Sequence, residues 1–142
     1  MSIVVNANLR NVNAANNNFM EIKVPLTFSG NYPTGGDTLD LTPITKDLPT
    51  QEVIGAFAFS NSSVNTALGQ AGGFYVCQGQ PGPVGGVNNV NAVATTAFNV
   101  WKLKVFKNTA GSIAEYANGA YGADVTSDYV ILRLVVRKLG AL

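Results

Sequence analysis

Histidine is absent from the 142-residue chain, and with it go the commonest general base and the commonest metal ligand. Serine and cysteine hydrolases that rely on a histidine base are excluded. Charge is scarce as well: Asp, Glu, Lys and Arg make up 12% of the residues, about half the usual share. Nine basic and eight acidic groups nearly cancel, so no cationic field draws in nucleic acid or anionic lipid. The single cysteine, Cys77, allows neither an intrachain disulfide nor a thiolate zinc cluster. A fold held by packing is expected, with Cys77 as a small buried hydrophobe. No run approaches the roughly 20 apolar residues that span a bilayer. The opening residues, Met1-Ser2-Ile3-Val4-Val5-Asn6, carry neither the basic nor the long apolar region of a leader. The expectation is a chain that is neither secreted nor held in a membrane.

Against these absences, hydrophobic residues make up 46% of the chain and the mean hydropathy is +0.17. Such a chain folds, and its length suits one domain that buries about two thirds of its unfolded surface. A surface so poor in charge is covered by uncharged polar residues or shared with other chains.

The punctuation is that of a β protein. Fifteen glycines, six prolines and sixteen asparagines separate short runs rich in Val, Ile, Phe and Tyr. Residues 19–28 alternate, with Ile22, Val24, Leu26 and Phe28 on one face; Pro25, which lacks a backbone donor, predicts a sheet edge or a bulge there. Residues 53–59 are apolar on both faces and read as a strand buried on both sides. Residues 74–78 form a shorter candidate. Residues 98–106 put Trp101, Leu103 and Val105 inward and Lys102 and Lys104 outward. The run 129–138 places Val130, Leu132, Leu134 and Val136 on one face and Tyr129, Ile131, Arg133, Val135 and Arg137 on the other, a mixed face suited to cover by another protein. Short helical turns are expected within 42–50 and 63–70. With no repeat and no long helix, the pattern predicts an all-β domain, an antiparallel β-sandwich resembling a jelly roll.

Segments without core-forming residues are the natural places for contacts. Residues 6–18 hold seven asparagines, so residues 1–18 read as an N-terminal arm on a sandwich spanning 19–142. Residues 78–91 form a long Gly/Pro/Asn loop of the functional or mobile kind. The candidate partner contacts are Asn8, Arg10, Asn13 and Asn17 in the arm, Pro81 and Pro83 in the loop, and Arg133 and Arg137 on the last strand.

Chemistry-bearing constellations are few. Asp37 and Asp40, three apart beside a glycine turn, are placed to flank a sugar ring as a glycosidase pair does, but turn capping by their oxygens accounts for both. Asp124 and Asp128 are a weak calcium candidate. No EF-hand or phosphate loop occurs. Neither metal nor cofactor is expected, and no enzymatic activity. Tyr32, Trp101, Tyr116, Tyr121 and Tyr129 are aromatics of the kind that stack on carbohydrate, although at strand spacing such residues more often anchor cores and interfaces.

The run Tyr32-Pro33-Thr34-Gly35-Gly36-Asp37, followed by Thr38-Leu39-Asp40-Leu41-Thr42, reads as a structural turn in which Pro33 fixes φ and the glycines take positive φ. It resembles a Tyr-Pro-Thr-Gly-Gly-acid motif of small virion proteins of tailed bacteriophages, the capsid decoration or cement proteins. The resemblance covers about ten residues of the 142. It implies a compact β domain that forms a dimer or trimer on the outer capsid surface and bridges neighbouring major capsid protein subunits after synthesis in the host cytoplasm. The alternative expectation is a carbohydrate-binding head-fibre or tail-associated β-sandwich module. Neither involves nucleic acid or membrane.

Overall fold

The structure is a computed structural model that describes residues 2–14, 19–45, 50–60, 74–79, 100–109 and 111–138. Among the described residues eleven strands appear in chain order: β1 (Ile3–Val5), β2 (Asn11–Ala14), β3 (Phe19–Phe28), β4 (Asn31–Tyr32), β5 (Asp37–Asp40), β6 (Thr50–Ser60), β7 (Phe74–Gln78), β8 (Val100–Thr109), β9 (Ser112–Glu115), β10 (Gly119–Ala120) and β11 (Val130–Lys138). Two short α-helices, α1 (Thr42–Thr45) and α2 (Ala123–Thr126), and a 3-10 turn (Ala7–Leu9) complete the described elements. The first falls where a helical turn was expected. The second was not foreseen, and the expected turn within 63–70 lies outside the described residues.

All pairings among the described residues are antiparallel. A five-stranded sheet runs β1-β3-β11-β6, with β2 beside β1 on the same edge of β3. A four-stranded sheet runs β5-β8-β7, with β9 also on β8, and β4 and β10 form a small ribbon. The sheets pack face to face as an all-β sandwich around one core. Ile22, Val24, Leu132, Leu134, Leu39, Leu103 and Val105 are fully buried in it. Each side chain of this size contributes about 1.5–3 kcal/mol by leaving water. Alternation produces the core directly, since Ile22, Val24, Leu26 and Phe28 on β3 and Val130, Leu132, Leu134 and Val136 on β11 all point inward. On β8 the inward row is Trp101, Leu103 and Val105.

Three expectations are corrected. Residues 3–14 are not a free arm: Ile3 and Val5 are buried and pair opposite Phe28 and Leu26, and residues 11–14 pair opposite 20–23. Backbone pairing needs no apolar side chains, so the asparagines did not prevent it. None of the described residues 6–13 is buried, so this stretch adds strand without adding core.

Pro25 lies neither at an edge nor at a bulge. β3 is paired on both sides, and Pro25 falls in the gap where β1 ends and β2 has not begun. Its carbonyl accepts from Asn6 N at 3.0 Å in that gap. A strand residue directs N–H and C=O to the same side, so the donor that Pro25 lacks would point where no strand requires it.

The third correction concerns β6. Val135 pairs with Gly55 and Val136 with Val53, so Ile54 is an extra residue at a bulge. Val53 and Ala56 are buried, whereas Phe57 and Phe59 are 57% and 41% exposed. The strand is not buried on both sides.

Candidate interaction surface

Two features of opposite character stand out, a belt of tyrosines bonded to carboxylates and the outer face of the five-stranded sheet. In the belt, Tyr32 ends β4 and is fully buried. The chain then turns through Pro33, whose carbonyl accepts from Gly36 N at 3.2 Å. Gly35 and Gly36 have φ of 91° and 104°, where L side chains are strained. A Cβ on Gly36 would also stand 3.0 Å from Lys104 Cγ and 3.3 Å from the Leu103 carbonyl. Tyr32 OH and Gly35 N both donate to Glu115 Oε1, each at 2.7 Å. These two donors hold the Glu115 carboxyl below its ordinary range. Burial, aided by the bond to Glu115, pushes the Tyr32 phenol up to about 12. Asp37, buried at the start of β5, accepts from Tyr121 OH at 2.9 Å and from Thr38 N at 2.7 Å.

The same pairing recurs. Tyr75 OH donates to Asp128 Oδ2 at 2.8 Å, and Tyr116 OH donates to Asp124 Oδ1 at 3.3 Å. Asp124 Oδ2 meets Lys107, whose ammonium also lies 5.0 Å from the Tyr116 ring centre. Burial raises the phenols of Tyr75 and Tyr121 well above the usual value. Thus Tyr32, Tyr75, Tyr116 and Tyr121 each carry a carboxylate partner, and the rings of Tyr32, Tyr116, Tyr121, Phe28 and Tyr75 touch in series. The arrangement satisfies polar atoms that burial would otherwise leave costly, and it locks the β4–β5 turn to β9.

These contacts dispose of several sequence candidates. Asp37 faces the core, whereas Asp40 accepts from Thr42 N at 2.9 Å, so the two do not flank a common cleft. Asp124 and Asp128 accept from different tyrosines, and among the described residues no three His, Cys, Asp or Glu side chains converge as metal ligands. Of the five aromatics named for carbohydrate stacking, Tyr32, Trp101 and Tyr121 are buried and Tyr116 is half-buried; Tyr129 alone is exposed. Cys77 is half-buried, and desolvation pushes its thiol up to about 12.

The outer face of the five-stranded sheet has the opposite character. Across it, cross-strand neighbours form three rows: Asn13, Glu21, Val135 and Gly55; Asn11, Lys23, Arg133 and Phe57; and Pro25, Ile131 and Phe59. The charged side chains described on it form one cluster, in which Arg133 donates to Glu21 at 2.7 Å and Lys23 lies 3.6 Å from the other oxygen of that carboxylate; the side chains of Glu52 and Arg137 lie outside the described residues. Arg133 and Lys23 draw the Glu21 carboxyl below its usual range. Beside the cluster, Leu9, Pro25, Phe59, Tyr129 and Ile131, with Asn11, Lys23 and Val24, line a cavity of about 290 Å³. Leu9 is 68% exposed and Tyr129 51%.

Of the predicted contacts, Asn13 and Arg133 are brought to this face by cross-strand register. Asn8 is exposed in the 3-10 turn over residues 7–9, and Arg10 donates to the Ala7 carbonyl at 3.2 Å. Arg137 stands opposite Phe19 and Glu52 in the ladder. Asn17, Pro81 and Pro83 lie outside the described residues. Sequence reasoning missed Leu9, Phe57 and Phe59 as surface residues. One signal was available for the phenylalanines, since an isolated glycine within a strand, here Gly55, marks a bulge. Comparisons of the chain with family models, with curated proteins and with solved structures return no match.

Proposed function

We propose that the protein is a structural virion component that decorates a bacteriophage capsid and clamps neighbouring major capsid protein subunits, acting as a dimer or trimer on the outer capsid surface. The observation that carries this reading is the outer face of the five-stranded sheet. Leu9, Phe57, Phe59 and Tyr129 are exposed apolar side chains there, set around the buried Pro25 and Ile131 with one charged cluster at the side, and exposed apolar patches mark interaction sites. The motif at residues 32–37 supplies the family resemblance, and the low charge of the chain accords with a surface shared with other subunits. A clamp of this kind would bury roughly 1,200–2,000 Å² for stable attachment, and several attachment points would multiply its hold through effective concentration. Expansion or rupture of the head would then also have to break those contacts.

The test is light scattering on the purified protein followed by co-sedimentation with heads that lack it. A closed oligomer that pellets with heads supports the proposal, whereas a monomer left in the supernatant defeats it. The carbohydrate reading keeps one support, the exposed rings of Tyr129, Phe57 and Phe59. Saturable binding to a glycan array that Tyr129→Ala abolishes would favour it.

A further inference from the structure

The outer-face cavity carries a statement about the chemistry of its occupant. Its walls are apolar, from Leu9, Pro25, Phe59, Tyr129 and Ile131, except where Asn11 and Lys23 reach its rim. Its volume of about 290 Å³ exceeds the roughly 150 Å³ that accepts benzene in a protein interior, so an aromatic or large aliphatic side chain fits. The charge beside it is unbalanced. Among the residues of this face whose side chains are described, Lys23 and Arg133 share the single carboxylate of Glu21, which Arg133 holds at 2.7 Å and Lys23 only at 3.6 Å. One positive charge is therefore in excess at the rim of an apolar hole.

A second copy of the chain is poorly suited to meet it. Of the eight acidic residues, Asp37, Asp124 and Asp128 are buried. Glu115 is held by Tyr32 and Gly35, Asp40 accepts from Thr42 N at 2.9 Å, and Glu21 belongs to the cationic cluster itself, so six of the eight are buried or engaged; the side chains of Asp47 and Glu52 lie outside the described residues.

We infer that the cavity seats an acidic segment of a different protein, with a large apolar side chain entering between Leu9, Phe59 and Tyr129 while an adjacent carboxylate meets Lys23. This rests on reading the face as an interaction surface and adds the charge and shape of what covers it.

The test uses the isotope-labelled full chain and two peptides, acetyl-Gly-Glu-Phe-Glu-Gly-amide and its twin with glutamine in place of both glutamates. Titration followed by NMR should shift the amides of Lys23, Phe59 and Ile131 saturably. The acidic peptide should bind about two- to fivefold more tightly than its twin, the range of one exposed ion pair. Lys23→Gln should erase that preference and Lys23→Arg should keep it. Leu9→Asp, at a position exposed enough to leave the fold intact, should weaken both peptides. Equal affinity of the twins, shifts confined to another face, or no saturable shift overturns the inference. Head co-sedimentation reports separately: heads bound without peptide selectivity leave the capsid reading standing and this inference refuted, and the converse result does the reverse.

Discussion

The five-stranded sheet has two faces built from similar residues that meet different fates. Inward, Ile22, Val24, Leu132 and Leu134 are fully buried beneath the second sheet. Outward, Pro25, Ile131, Phe59 and Phe57 stand in the same ladders one residue out of phase; Pro25 and Ile131 are covered there too, but Phe57 and Phe59 are left exposed. Hydrophobicity alone does not separate the faces. What separates them is parity along β3 and β11 and the extra residue Ile54 in β6, which sends Val53 and Ala56 inward and the two phenylalanines outward. An apolar side chain on the inner face therefore contributes to stability, whereas Phe57 and Phe59, exposed on the outer face, are the ones that the proposed function assigns to association.

The largest expected effect lies inside. Leu132→Ala should destabilise by about 2–5 kcal/mol, the range for a buried leucine deletion, visible as a lower denaturant midpoint with unchanged slope. A loss below about 1 kcal/mol would mean that the inner face is not packed as described.

Next comes the belt that closes one end of this core. Tyr75→Phe strips Asp128 of a buried donor and should cost about 1–3 kcal/mol. The phenols also set a pH dependence whose sign is fixed. Tyr32 rises from 10 in the unfolded chain to about 12 in the fold, so its contribution is whole below pH 10 and disappears as pH climbs through about 12. Tyr75 and Tyr121 shift in the same direction. Denaturant midpoints measured at rising alkaline pH should fall, and the fall should be shallower in Tyr32→Phe. Glu115, held low, acts in the opposite range: its contribution is present above the ordinary carboxyl value of 4.5 and is lost as acid protonates it.

A smaller effect belongs to the turn. Gly35→Ala, with φ of 91° and open space around the new methyl, should cost roughly 1 kcal/mol through backbone strain alone. Gly36→Ala should cost more, because its methyl also meets Leu103 and Lys104. Equal melting temperatures for the two variants would show that the contact with β8 is immaterial.

How much of this was legible depends on the range of the interaction. Strands β3, β7, β8 and β11 could be read because their alternation is written in consecutive residues, and the turn at 32–37 because its glycines and proline are local. The tyrosine belt could not, since Tyr32 and Glu115 are 83 residues apart and Tyr121 and Asp37 are 84 apart. Residues 3–14 escaped for another reason: asparagines carry no burial signal, yet their backbone pairs along β3. Phe57 and Phe59 escaped because one bulged residue inverts every side chain beyond it.

The smallest expected change in stability is paired with the largest expected change in association. In the double variant Phe57→Ser, Phe59→Ser, both side chains lie on the outer face, so the denaturant midpoint should move by no more than about 1 kcal/mol equivalent. Co-sedimentation of this variant with heads lacking the wild-type protein is the most direct measurement. A folded variant that stays in the supernatant is the predicted result, and a folded variant that pellets as fully as the wild type would contradict the assignment of this face as the interaction surface.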